Sequence, residues 1–275
     1  MKEHRFGSGS MQIQFAHANA NPPLCYTQMV DKLVDEGATV YLPVQRPLWP
    51  DSDPLALRSW TTLSDDLISH MDELGRKNVI GVGHSMGGVA TWLAAIRRPD
   101  LFSQLILLEP VILPEPMMKI NSLMPWSIKK KVVPIVKIAL QRRDKWSSVE
   151  ELESHLGAKK VFQRWDRGCW EDFKKHGVRP TISGGMTLTY PKLWEARIYS
   201  TAPNLWKMMS HSTPPLTMIR GQFTDVITSK NWDRVATQMP QASLMEMDGV
   251  GHLLPFEKPT EVADLILKLI DTDQS

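Results

Sequence analysis

The stretch Gly83-His84-Ser85-Met86-Gly87-Gly88 joins a short apolar run, Asn78 to Val82, to an apolar helical segment, Val89 to Arg98, that stops at Pro99. Strand, glycine-flanked serine and helix follow one another with almost no spacer, which is the context of a nucleophile elbow. A serine on so sharp a turn sits in a strained backbone conformation, and the flanking glycines remove Cβ atoms that would collide there. The turn lifts Ser85 Oγ above a sheet edge. It also aims the first helical amides at a reacting carbonyl, which makes Met86 N–H a candidate oxyanion donor.

The surrounding chain alternates strand and helix. Gln12 to Ala16 reads as a strand, His17 to Pro23 as a loop, and Tyr26, Met29, Val30 and Leu33 as one face of a helix closed at Gly37. Ala38 to Val44 is a buried strand, Leu63, Leu67, Met71 and Leu74 mark a helix, and Leu105 to Leu108 is a further strand. The pattern resumes with Leu216 to Ile219, a helix around Trp232 to Met239, a strand at Ser243 to Met247 and a helix from Pro259 to Ile270. Continuous apolar strands separated by amphipathic helices predict an α/β protein with a mostly parallel, doubly wound sheet. Between them, 113–212 is helical or irregular, is rich in Trp and Met, and shows no strand repeat. Three regions are therefore expected: a core in two parts, 1–112 and 213–275, and an insertion, 113–212.

A serine hydroxyl needs a base to take its proton. Of the eight histidines, His252 in Asp248-Gly249-Val250-Gly251-His252 lies in a loop after the last strand, where a side chain can project over the sheet edge. His84 adjoins Ser85, but neighbours on such a turn point apart; His17 reads as a brace for loop backbone. The base in turn needs an acid. Asp225, just past the strand ending at Ile219, is preferred; Glu109, directly after Leu108, is the rival, as a buried structural carboxylate or an alternative acid.

With these residues the chain resembles the α/β-hydrolase superfamily, through Gly83 to Gly88, Gly221 to Asp225, and Gly251-His252 followed by Pro255 and Glu257. The resemblance implies the order Ser, Asp, His along the chain and a helical cap inserted between the sixth and seventh strands. Phe15-Ala16-His17-Ala18-Asn19-Ala20 is similar to the His-Gly-X loop of that superfamily, which would give the second oxyanion amide to Asn19, with alanine where relatives carry glycine. Relatives often place a two-stranded hairpin before this loop, and Met1 to Phe15 has room for little more than one strand. A serine nucleophile argues against the aspartate-dependent epoxide hydrolases and haloalkane dehalogenases.

The expected reaction is hydrolysis of a carboxylic ester of a small to medium apolar substrate through an acyl-enzyme. The alternatives are carbon–carbon bond hydrolysis or cofactor-free perhydrolysis by the same triad, and a non-catalytic ligand-binding module. Trp126, Trp146, Trp165, Trp170, Trp194 and Trp206, with nearby methionines, suit either an apolar pocket or cap packing. A net charge of +2 does not recommend nucleic acid or an anionic membrane as a general partner. Lys129-Lys130-Lys131 and Arg142-Arg143-Asp144-Lys145 read as a solvated helix face. Cys25 and Cys169 have no paired spacing, so neither a disulfide framework nor a metal knuckle is expected, and a cytoplasmic location fits best. No cofactor or metal is anticipated, because phosphate-loop, dinucleotide and zinc-ligand patterns are missing from the sequence. Stable membrane insertion is not anticipated either, as no apolar run is long enough to span a bilayer.

Overall fold

The computed structural model describes residues 1–182 and 184–272. Strand β1 (Glu3–Phe6) and strand β2 (Met11–Ala16) lead to helix α1 (Thr27–Asp35) and strand β3 (Ala38–Pro43). Helix α2 (Thr61–Glu73), strand β4 (Val79–His84), helix α3 (Met86–Arg97) and strand β5 (Phe102–Leu108) follow.

Next come α4 (Glu115–Leu123), α5 (Trp126–Val132), α6 (Pro134–Gln141), β6 (Lys145–Trp146), α7 (Val149–Gly157) and α8 (Arg167–Asp172). This segment ends with β7 (Val178–Pro180), β8 (Met186–Leu188) and α9 (Lys192–Ser200). The chain closes with β9 (Leu216–Gly221), α10 (Ser229–Gln238), β10 (Ser243–Met247), α11 (Leu254–Glu257) and α12 (Pro259–Thr272).

Seven strands form one sheet in the order β1-β3-β2-β4-β5-β9-β10. Only β1 runs antiparallel to its neighbour; the other pairs are parallel. Two-sided burial explains the near-continuous apolar strands. Leu105 and Leu107 of β5 pack with α2 and α3 on one face, and Ile106 and Leu108 pack with α1 and α12 on the other. The alternation is the period of two imposed by the pleat.

The expected α/β sheet is present, with two differences in detail. Glu3–Phe6 forms a strand of its own, so two strands precede the loop at His17 where room for little more than one was expected. In chain order the helical insertion follows the fifth strand of the core sheet and precedes the sixth, where a place between the sixth and seventh was expected; the two expected strands follow it. It also holds a three-stranded sheet, β6-β8-β7. Strands of two or three residues are too short to leave an alternating signature.

The tryptophans of the insertion act largely as packing. Trp165 stacks on Phe256 with centroids 4.4 Å apart. Trp194 Nε1 donates to Ser52 Oγ at 3.1 Å and Trp206 Nε1 to Leu113 O at 2.8 Å. Trp165 through its stacked ring and Trp194 through its donor thus join the insertion to the sheet domain, while Trp206 ties the two ends of the insertion together.

Candidate active site

Ser85 caps α3 with φ 55° and ψ −117°, a conformation that costs roughly 1–3 kcal/mol for a residue with a side chain. Its N–H donates to Leu108 O at 2.9 Å, which ties the turn to the end of β5. The glycine requirement has a steric cause on both sides. A Cβ on Gly83 would lie 2.7 Å from the Gly87 carbonyl, and one on Gly87 would run into the carbonyls of Ala16 and His17. The elbow is therefore pressed directly against the loop that follows β2. Met86 is the first residue of α3, so its N–H belongs to the terminal amides that lack an acceptor within the helix.

His252 Nε2 lies 3.0 Å from Ser85 Oγ. Its other ring nitrogen, Nδ1, lies 2.9 Å from Glu109 Oε2. Glu109 is completely buried and adopts φ 49°, a left-handed turn immediately after β5 that brings its carboxylate beneath the imidazole. Gly221 N–H donates to Glu109 Oε1 at 2.6 Å and the Thr224 hydroxyl to Oε2 at 2.7 Å. Three donors, counting the imidazole, balance a charge that could not otherwise be buried.

The carboxylate on His252 is thus Glu109, which corrects the preference for Asp225. Asp225 is exposed. The turn before it closes through Thr224 N–H to Gly221 O at 3.1 Å and Phe223 N–H to Val250 O at 2.9 Å. The segment Gly221 to Thr224 therefore serves the site by donating hydrogen bonds to Glu109, and the chain leaves for solvent one residue later. The signal for Glu109 was present in the sequence as an acid directly after an apolar strand.

His84 has a role that its position beside the serine did not reveal. Its Nε2 donates to His252 O at 2.9 Å, so its Nδ1 is the acceptor for the Tyr26 hydroxyl at 2.8 Å. The Tyr26 oxygen in turn accepts from Ala18 N–H at 3.1 Å. Burial, reinforced by the nearby His252, lowers the His84 pKa to about 3, which keeps the ring neutral and the donor order fixed. The relay joins the loop after β2, the elbow and the backbone of His252.

His17 braces its loop as expected: Nδ1 donates to Ala18 O at 2.9 Å and Nε2 accepts from Gln45 N–H at 3.3 Å. Burial lowers its pKa to about 4. Asn19 is buried, and its side-chain amide donates to Glu195 O of α9 at 3.2 Å. Its neighbour Ala20 adopts φ 67°, a left-handed conformation usually left to glycine.

A sequence profile described as the alpha/beta hydrolase family matches residues 15–265. The chain belongs to this family. Among hydrolases of known sequence, it is 24% identical over 262 residues to a type I acyl-CoA thioesterase of Penicillium brevicompactum, covering 88% of this chain but 57% of that protein. The chain thus spans little more than half the length of that relative. It is 24% identical to an AB hydrolase superfamily protein of Bacillus subtilis, over 89% of this chain and 85% of that one. It is 23% identical to an sn-1-specific diacylglycerol lipase of Mus musculus, over 94% and 80%. Among solved structures, E-2-(acetamidomethylene)succinate hydrolase superposes with a TM-score of 0.77 at 18% identity, over 98% of this chain and 94% of that one. Family and relatives together support hydrolase activity. No helix among the described residues is long and apolar enough to cross a membrane.

Proposed function

We propose that the chain is a serine hydrolase that cleaves a carboxylic ester or thioester of a small to medium apolar acyl group. The observation that carries this reading is the unbroken line Ser85 Oγ, His252 Nε2, His252 Nδ1, Glu109 Oε2, with contacts of 3.0 and 2.9 Å.

In the first half-reaction His252 takes the Ser85 proton as Oγ attacks the substrate carbonyl, and Glu109 stabilises the imidazolium that forms. The Met86 and Asn19 amides receive the oxyanion; a donor of this kind is worth about 10²–10³ in kcat. His252 then passes its proton to the departing alcohol or thiol, leaving Ser85 acylated. Water, deprotonated by the same imidazole, releases the acid and restores the hydroxyl. The thioester option draws support from the acyl-CoA thioesterase among the relatives.

A fluorophosphonate probe should label the native protein and fail to label Ser85→Ala. Turnover should be followed over p-nitrophenyl esters of increasing acyl length and over acyl-CoA thioesters, which separates the two leaving groups. A clean, folded Ser85→Ala protein with undiminished turnover would exclude the assignment.

A further inference from the structure

Helices α4 and α6 carry their polarity the wrong way round for a surface that meets water, and α5 between them exposes lysines beside apolar side chains. All three turn their buried side toward α9. Asn121 of α4 donates to Ser200 O at 3.4 Å, Lys129 of α5 donates to the same carbonyl at 2.6 Å, and Val136 and Ala139 of α6 pack with Ala196. On α4 and α6 the opposite stripes are apolar. On α4, Met117, Ile120 and Leu123 are 48%, 62% and 85% exposed, at a spacing that places them on one face. Ile135 and Ile138 of α6 repeat the arrangement at a spacing of three, and on α5 the exposed Ile128 and Val132 flank the buried Lys129 with Lys130 and Lys131 beside them. A cluster of large exposed apolar side chains on this scale marks an interaction surface.

The charge on this segment selects the partner. No Asp or Glu occurs between Pro116 and Arg143, in a chain whose net charge is only +2. Lys130, Lys131 and Lys137 stand exposed on the same helices. Apolar stripes framed by lysines suit a boundary where acyl chains lie beneath anionic headgroups. A second copy fits less well, because a twofold interface would bring the lysines of both copies together.

We propose that α4 to α6 form a docking face for an anionic lipid surface, with the apolar stripes entering the headgroup boundary and the lysines meeting lipid phosphates. This reading does not depend on the reaction assigned to Ser85. A cleft of about 460 Å³, lined in part by Arg58, Trp126, Lys129 and Arg197, lies beside the face. Arg197 donates to Pro54 O and Leu57 O, and its guanidinium lies over the Trp126 ring with Cζ 4.9 Å from the centroid. Burial and the neighbouring Arg197 hold the Lys129 ammonium below its ordinary pKa, and burial and Arg58 hold the Arg197 guanidinium below its own, with Asp53 opposing in part. Both cations keep donors beyond those given to carbonyls, so the cleft can seat a headgroup phosphate.

The test is co-sedimentation with vesicles of phosphatidylcholine alone and of phosphatidylcholine mixed with phosphatidylglycerol. The protein should bind the mixed vesicles at least about tenfold more tightly. Lys130→Glu with Lys131→Glu should weaken that binding about tenfold or more, and raised salt should do the same. Ile120→Ser with Leu123→Ser, at exposed positions that leave the circular dichroism unchanged, should also weaken it, while lipid-free p-nitrophenyl ester turnover stays at the level of the wild type. Equal binding to both vesicle types, or undiminished binding by both paired variants, overturns the proposal. So does a concentration-dependent dimer abolished by Ile120→Ser with Leu123→Ser in a protein that binds no vesicles.

Discussion

Glu109 and His252 are 143 residues apart in sequence and meet through a 2.9 Å contact between Oε2 and Nδ1. The contact depends on two local features. A left-handed residue ends β5 at Glu109, and the loop through Gly249 and Gly251 returns His252 over the sheet edge. Neither feature alone brings a carboxylate to an imidazole; the sheet order that sets β5 beside β9 does.

Exchange of the two candidate acids should separate their roles. Glu109→Gln keeps the shape but removes the charge that the proposed mechanism uses to stabilise the imidazolium, and should lower kcat for an ester by about 10³–10⁴. Asp225→Asn, at an exposed position, should stay within about twofold of the wild type. Steady-state kinetics on both variants decides the matter, and the reverse ranking would return the role to Asp225.

Thr224 offers a milder perturbation of the same carboxylate. Thr224→Val removes the 2.7 Å hydrogen bond to Glu109 Oε2 with little change of shape. A hydrogen bond to a charged group is worth about 1.5–3 kcal/mol. Part of that should appear as a fall of about tenfold in kcat and part as a lower urea midpoint. A variant unchanged in both would mean that the Gly221 amide and the imidazole suffice for Glu109.

Two buried neutral histidines predict an acid-sensitive fold. The pKa of His84 is lowered to about 3 and that of His17 to about 4, both from an ordinary 6.5 and both mainly by burial. Below pH 6.5 the unfolded chain binds protons that the folded protein refuses, so unfolding free energy falls as pH falls. Each histidine contributes a slope of about 1.4 kcal/mol per pH unit, ending near its folded pKa. Urea unfolding at pH 7 and pH 5 should show a clearly lower midpoint at pH 5, and equal midpoints would contradict neutral burial of these rings.

The thiols should be silent. Cys25 and Cys169 are both buried and free, and burial pushes the Cys169 thiol up to about 12 and that of Cys25 higher still. Thiolate is the reactive form. Ellman's reagent should therefore find no rapidly reacting thiol in the native protein and two in guanidinium chloride. Fast native labelling at either position would show that its surroundings open readily.

Strong local patterns were legible in the sequence. The elbow was readable because Gly83 and Gly87 answer to steric contacts that admit no side chain, and the buried strands because two-sided burial demands an unbroken apolar run. His252 was readable from its glycine-containing loop. Lys129 was not: it sits in a run of three lysines that looks uniformly solvated, yet it is buried against α9 while Lys130 and Lys131 remain exposed. Helical rotation of about 100° per residue separates such neighbours, and only packing decides which of them turns inward.

The sequence by itself therefore determined the alternating sheet-and-helix core, the strained serine turn and the histidine that returns to it, since each rests on steric or burial demands felt within a few residues. Tertiary structure alone decided which acid reaches the imidazole, how Tyr26 and His84 tie the loop after β2 to the backbone of His252, and which face of α4 to α6 meets solvent. Those outcomes depend on distances between segments far apart in the chain, and local residue patterns carry no measure of such distances.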